Sequence, residues 1–151
     1  FQNHPDRAIW DSFPGAGEAL SPRLAAAWGI DRGRFQDAHE MQLLSGTAPV
    51  TEKSGKQKKV HRRWSRPKFM HQSFWEFAQS STKHCAWAKA YLDDQISKGK
   101  KHSTAVRALA FKWQRIMYTC WLNHVPYVDE NYNQSLLKRG SKFAQTSIQE
   151  A

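Results

Sequence analysis

Apolar residues recur every three or four positions along most of this chain, and glycines and prolines mark where each run stops. "HPDRAIWDS", residues 4–12, reads as the end of a helix with Ile9 and Trp10 apolar. Pro14-Gly15 breaks it, and Gly17 admits a second unusual backbone angle. "LSPRLAAAW" restarts the helix, with Ser21 as the expected cap, Pro22 at the first helical position and Gly29 as the stop. "FQDAHEMQLLSG" predicts another short helix, capped by Asp37 with Glu40 three residues on and ended by Gly46. From 72 to 98 the positions Phe74, Phe77, Ala78, Ser81, Cys85, Ala88, Leu92 and Ile96 predict one long helix closed by Gly99. Ser103 is the expected cap of a second, whose stripe is Val106, Leu109, Ala110, Trp113, Ile116, Met117 and Cys120. Beyond Pro126, "ENYNQSLLKRG" predicts a last short helix stopped by Gly140.

The pattern therefore predicts a mainly α fold: a helix-hairpin-helix-like N-terminal part, an irregular basic loop, and a long antiparallel helical pair as scaffold. One domain is expected over residues 1–143, with 144–151 a loose tail. Residues 47–68 follow neither period. A small hairpin around Val60 to Trp64 is the regular element expected there, and a long ordered loop of this kind is usually functional.

Charge sharpens the interest in that loop. The chain has 151 residues and a net charge of +10. From Glu52 to Lys68 lie Lys53, Lys56, Lys58, Lys59, Arg62, Arg63, Arg66 and Lys68, eight cations against one acid, or net +7. Such concentration makes nucleic acid the leading partner and an anionic membrane surface the second. His61 and Trp64 lie among the cations, where stacking is open to them. The plainer reading is a solubilising loop. No apolar run has the length of a membrane span, so no membrane partner is expected beyond surface attraction. Cys85 and Cys120 are far apart, lack CxxC or CxxH neighbours, and are expected as buried thiols. The histidines show no HxxxH or HxH pair, and Asp93-Asp94 point in different directions, so no metal site is expected in this chain.

Two features offer chemistry. In the "PGAG" turn, Gly15 and Gly17 allow backbone amides to face a DNA phosphate in front of a helix N-terminus; a plain interhelical turn accounts for the same residues. Ser54 precedes Gly55 at the entrance of the cationic strip. A hydroxyl there is a turn residue or a nucleophile, and the second role needs cations to hold the charge that develops at phosphorus.

The segments "SFPGAGEALSPRLAAAWG", "GRF", "LLSGTAPVTEKSGK", "VHRRWSRPKF", "HQSFWEFAQSS", "AWAKAYLDDQ" and "STAVRALAFKWQRIMYTCW" occur in this order from about Pro5 to Phe143. They resemble insertion-sequence transposases of the IS 110 / IS 116 / IS 902 family, most specifically in APV-x3-SG followed by RRW and PKF. The resemblance implies a C-terminal transposase domain acting in DNA transposition and recombination, with Ser54 matching the serine taken to link covalently to DNA. It implies DNA as partner, a structured guide RNA in some members, a homo-oligomeric parent, and a cytoplasmic, nucleoid-associated setting. The family's acidic, resolvase-like domain, where a divalent metal such as Mg is expected, would precede Phe1. The chain is thus expected to be a fragment without cofactor that does not recombine DNA alone. A non-enzymatic basic helical module that binds DNA or RNA, with Ser54 only shaping a turn, is the alternative.

Overall fold

Trp113 sits midway along the longest helix, and its ring meets those of Phe13, Phe77, Trp87 and Tyr127. One side chain thereby joins the start of the chain to its last third. The computed structural model describes residues 1–48 and 67–145. Among the described residues run seven helices and no strand: α1 (Arg7–Asp11), α2 (Gly17–Trp28), α3 (Ala38–Ser45), α4 (Lys68–Ser81), α5 (Ala86–Ser97), α6 (His102–Leu122) and α7 (Asp129–Lys138). The fold is mainly α, as the periodicity predicts. α3, α4 and α5 pack along α6, and α2 packs on α1 and α4. Trp10, Trp28, Trp87, Trp113 and Trp121 are fully buried. Trp28 alone meets Trp10, Phe35, Phe74 and Trp121, so the indoles form a continuous aromatic core rather than a surface for stacking.

Where capping chemistry is complete, the sequence and the structure agree. The Asp37 carboxylate accepts the Glu40 amide at 3.1 Å, and the Glu40 carboxylate accepts the Gln36 amide at 2.7 Å. Gly46 closes α3 in the left-handed conformation. The stripe from Val106 to Met117 is buried apart from half-buried Ile116, and it makes α6 the spine.

Four expectations change. The long helix expected over 72–98 is two helices. Ser81 and Thr82 turn their hydroxyls onto the carbonyls of Ala78 and Gln79, the amides of Lys83 and His84 pair three residues back, and Cys85 is extended. Hydroxyl side chains that bind their own backbone in this way compete with the helix. The expected helical pair is therefore three helices. α2 begins at Gly17, not at Pro22, which lies inside it; Ser21 is no cap but donates its buried hydroxyl to the Trp10 carbonyl at 3.1 Å. α6 starts at His102 behind Lys101, so Ser103 lies inside the first turn and caps nothing. The tail is tied down as far as Gln145: its amide and carbonyl both pair with the Asn133 side chain at 2.6 Å, and Phe143 packs edge-on against Tyr91. The hairpin expected at 60–64 and the remainder of the tail lie outside the described residues.

A buried ion pair locks the N-terminal segment. Arg32 forks onto both oxygens of Asp6 at 2.8 Å and donates through Nε to the Trp121 carbonyl at 2.8 Å. The Arg32 guanidinium holds the Asp6 carboxyl below the usual carboxylate range against the cost of its burial.

Candidate nucleic-acid interface

The basic segment is flanked by Ala48 and Pro67, and the turn that ends at Ala48 is built from buried polar groups. After α3 the chain turns so that the amides of Thr47 and Ala48 both donate to the Gln42 carbonyl at 3.1 Å. Beneath that turn, Gln114 of α6 donates from Nε2 to the Ser45 hydroxyl at 2.9 Å and accepts from the Thr47 hydroxyl at 2.5 Å. Gln42 donates to the Phe111 carbonyl at 2.8 Å. Gln42, Ser45, Thr47 and Gln114 are all buried; polar groups in such a place are tolerable only because they satisfy each other.

The second stem is joined to the first. His71, in the first turn of α4, lies with Nδ1 3.1 Å from the Ser45 carbonyl. A carbonyl only accepts, so Nδ1 carries the proton in this contact. The described flanks on either side, residues 45–48 and the first turn of α4, thus meet on one base made by α3, α4 and α6.

Cations stand at that base. Lys68 is exposed as the first residue of α4, whose first turn contains no acid. A lysine there gains nothing from the helix dipole, and the first amides of α4 have no side-chain cap. Arg23 reaches across from α2: Nε donates to the Ser73 hydroxyl at 2.9 Å and the guanidinium lies 4.6 Å above the Phe69 ring.

Of the candidate residues, Gly15, Gly17 and Lys68 are described, whereas Lys53, Ser54, Gly55, Lys56, Lys58, Lys59, Arg62, Arg63 and Arg66 lie outside the described residues. Gly15 has φ +92°, and a Cβ there would sit 3.0 Å from the backbone of Ser80, whose hydroxyl donates to the Gly15 carbonyl at 2.8 Å. Close packing against α4 is enough to require glycine at 15. Gly17 opens α2 with nothing within 4 Å of where a Cβ would stand. Lys68 is not brought close to this turn by any recorded contact.

Sequence reasoning missed Arg23, His71 and Gln114. Gln114 carried a signal: it is a polar side chain between Trp113 and Met117 in a buried stretch of α6. Both cysteines are buried thiols, as expected; burial pushes Cys85 up to about 12 and Cys120 up to about 11. Among the described residues no three His, Cys, Asp or Glu side chains converge as a metal site requires. Nor is any helix among them long and apolar enough to cross a membrane.

The family model described as Transposase IS116/IS110/IS902 family matches residues 8–93, from α1 through most of α5. A relative from Streptomyces coelicolor, "Mini-circle putative transposase for IS117", is 34% identical over 122 residues, which is 80% of this chain and 29% of that protein. The "Insertion element IS900 uncharacterized 42 kDa protein" of Mycobacterium paratuberculosis is 29% identical over 130 residues, 84% of this chain and 32% of its own length. The chain therefore spans about a third of the length of these curated relatives.

Proposed function

This chain belongs to the IS116/IS110/IS902 transposase family, and from that premise we propose that it is the part of a transposase that holds DNA and supplies a serine nucleophile. Ser54 Oγ attacks a DNA phosphodiester. The Oγ–P bond forms as the bond from phosphorus to one sugar oxygen breaks, the serine proton leaves to solvent, and the freed sugar hydroxyl is protonated in turn. The product is a phosphoserine ester that a second DNA end can resolve by the reverse reaction. Lys53, Lys56, Arg62 and Arg63 offset the charge that builds on the equatorial oxygens, and Gly55 lets the backbone approach them. Lys58, Lys59, Arg66 and Lys68 hold flanking phosphates. Of the two turn glycines, Gly17 has the open space that an anchored phosphate needs; Gly15 is already packed against Ser80.

The observation that carries this reading is the link between the two described flanks of the basic segment. Gln114 binds the Ser45 and Thr47 hydroxyls in the buried turn before it, and His71, after it, meets the Ser45 carbonyl. A solubilising segment has no use for so exact a mounting; a nucleophile that must meet phosphorus within a few tenths of an ångström does.

Ser54→Ala in the full-length transposase tests the chemistry. Strand exchange is lost and no covalent protein–DNA adduct can be trapped, while DNA binding persists. Undiminished exchange would remove the nucleophile. Binding itself weakens with salt: for about five phosphate contacts, log affinity falls against log salt with a slope of about −4.5.

A further inference from the structure

A second cationic site, built from other residues than the basic segment, lies in the groove between α6 and α7. The cavity there measures about 570 Å³. Lys112 and Arg115, one turn apart on α6, line one side, and Arg139, just past the end of α7, lines the other; among the described residues no Asp or Glu lines it. Thr119, Asn131 and Ser135 add hydroxyl and amide groups to the same wall.

Three like charges around one cavity repel each other unless something anionic joins them. Among the described residues none of the three has an ion-pair partner. Aromatic rings hold two of them instead: Lys112 Nζ lies 5.3 Å from the Tyr91 centroid, and the Arg139 guanidinium lies 5.9 Å from that of Tyr132. Two carboxylates on adjoining elements are engaged elsewhere, and neither Asp129 nor Glu130 of α7 lines the cavity. Asp94 of α5 binds Lys98 and Lys142, and Asp37, which shares a smaller neighbouring cavity with Arg115, caps α3. Burial and the nearby Arg139 and Arg115 all push the Lys112 ammonium below its ordinary pKa, which is the cost of assembling this cluster without a counter-ion.

We propose that the α6–α7 groove binds backbone phosphates of DNA through Lys112, Arg115 and Arg139, as a contact separate from residues 49–66. It rests on the reading of the chain as a DNA-holding part of a transposase, and it adds a second point of attachment. Two attachments fix a duplex in orientation as well as position. Hydroxyl and amide groups beside the cations suit phosphodiester oxygens, which accept several hydrogen bonds at once.

The test compares salt slopes for a short DNA duplex bound to the full chain by fluorescence anisotropy. Arg115 and Arg139 are exposed, so Arg115→Gln/Arg139→Gln should keep the fold, as its thermal midpoint will report; Lys112→Met is the second variant. The expected result is a slope shallower by about 1.8 in the double variant, from two lost phosphate contacts, and by about 0.9 in Lys112→Met. Lys58→Gln/Lys59→Gln serves as comparator and should lower the slope independently, so that the two sets add. A steep wild-type slope that falls only in the comparator would overturn the groove and leave the basic segment as the DNA site. Absence of any salt-dependent binding would overturn both readings. Inorganic phosphate displacing the duplex from the groove at equal concentration would mark a pocket for a free anion and overturn the assignment to DNA. A duplex unaffected by the groove variants while single-stranded RNA is affected would do the same.

Discussion

Replacing Gln114 with leucine should show how firmly the base of the cationic segment is held. The side chain is fully buried, and its amide makes two contacts, at 2.9 Å to Ser45 and 2.5 Å to Thr47. Leucine has nearly the same volume, so no large cavity forms. Both hydroxyls lose their best partner and keep long contacts, to the Gln42 carbonyl at 3.5 and 3.4 Å and to each other at 3.5 Å. Two lost hydrogen bonds at ~1 kcal/mol each, with one stranded buried hydroxyl at ~1–2 kcal/mol, predict a loss of about 3–4 kcal/mol. For a chain of this size that lowers the thermal midpoint by about 6–16 °C, read by far-UV circular dichroism. The reasoning makes a second demand. If the damage comes from stranded hydroxyls, Ser45→Ala/Thr47→Val/Gln114→Leu should be at least as stable as Gln114→Leu alone, because the polar groups leave together. A triple variant weaker than the single one, or a single variant with an unchanged midpoint, would refute the network as described.

Asp6→Asn should cost about 3 kcal/mol at neutral pH, since Arg32 is left without its carboxylate. The folded pKa of Asp6 is depressed below its ordinary 3.8, so the pair's contribution is complete above that value and is lost as pH falls below it; melts of wild type and variant should converge in acid. Native Cys85 and Cys120, raised to about 12 and about 11, should resist alkylation at mildly alkaline pH, whereas both react in denaturant; rapid modification of the native chain would contradict their burial. Gly15→Ala meets the Ser80 backbone as well as left-handed strain and should lower the midpoint more than Gly17→Ala, which meets strain alone at about 1–2 kcal/mol; equal losses would show that the 15–80 contact is not tight.

The helices most legible in the sequence are those whose ends carry their own chemistry. α3 could be bounded from Asp37, Glu40 and Gly46 because its caps are local. The break between α4 and α5 was hidden because Ser81, Cys85, Ala88 and Leu92 stay in helical phase across it; the run of hydroxyls at 80–82 was the clue. Pro22 misled because proline usually opens a helix, whereas here α2 starts five residues earlier. For the candidate site, charge singled out the segment, since composition is visible without a fold. Its mounting was not visible. Gln114 meets Ser45 and Thr47 across 69 and 67 residues of chain, and only packing against α6 brings them together.

The aromatic core has one more consequence. Phe13 and Trp28, from before the cationic segment, meet Phe77, Trp113, Phe74 and Trp121 from after it. The described residues on either side therefore already interlock without the covalent link between them. A single proteolytic nick between Ala48 and Pro67 should yield two peptides that co-migrate under native conditions and part only in denaturant, so this scaffold can endure a broken chain.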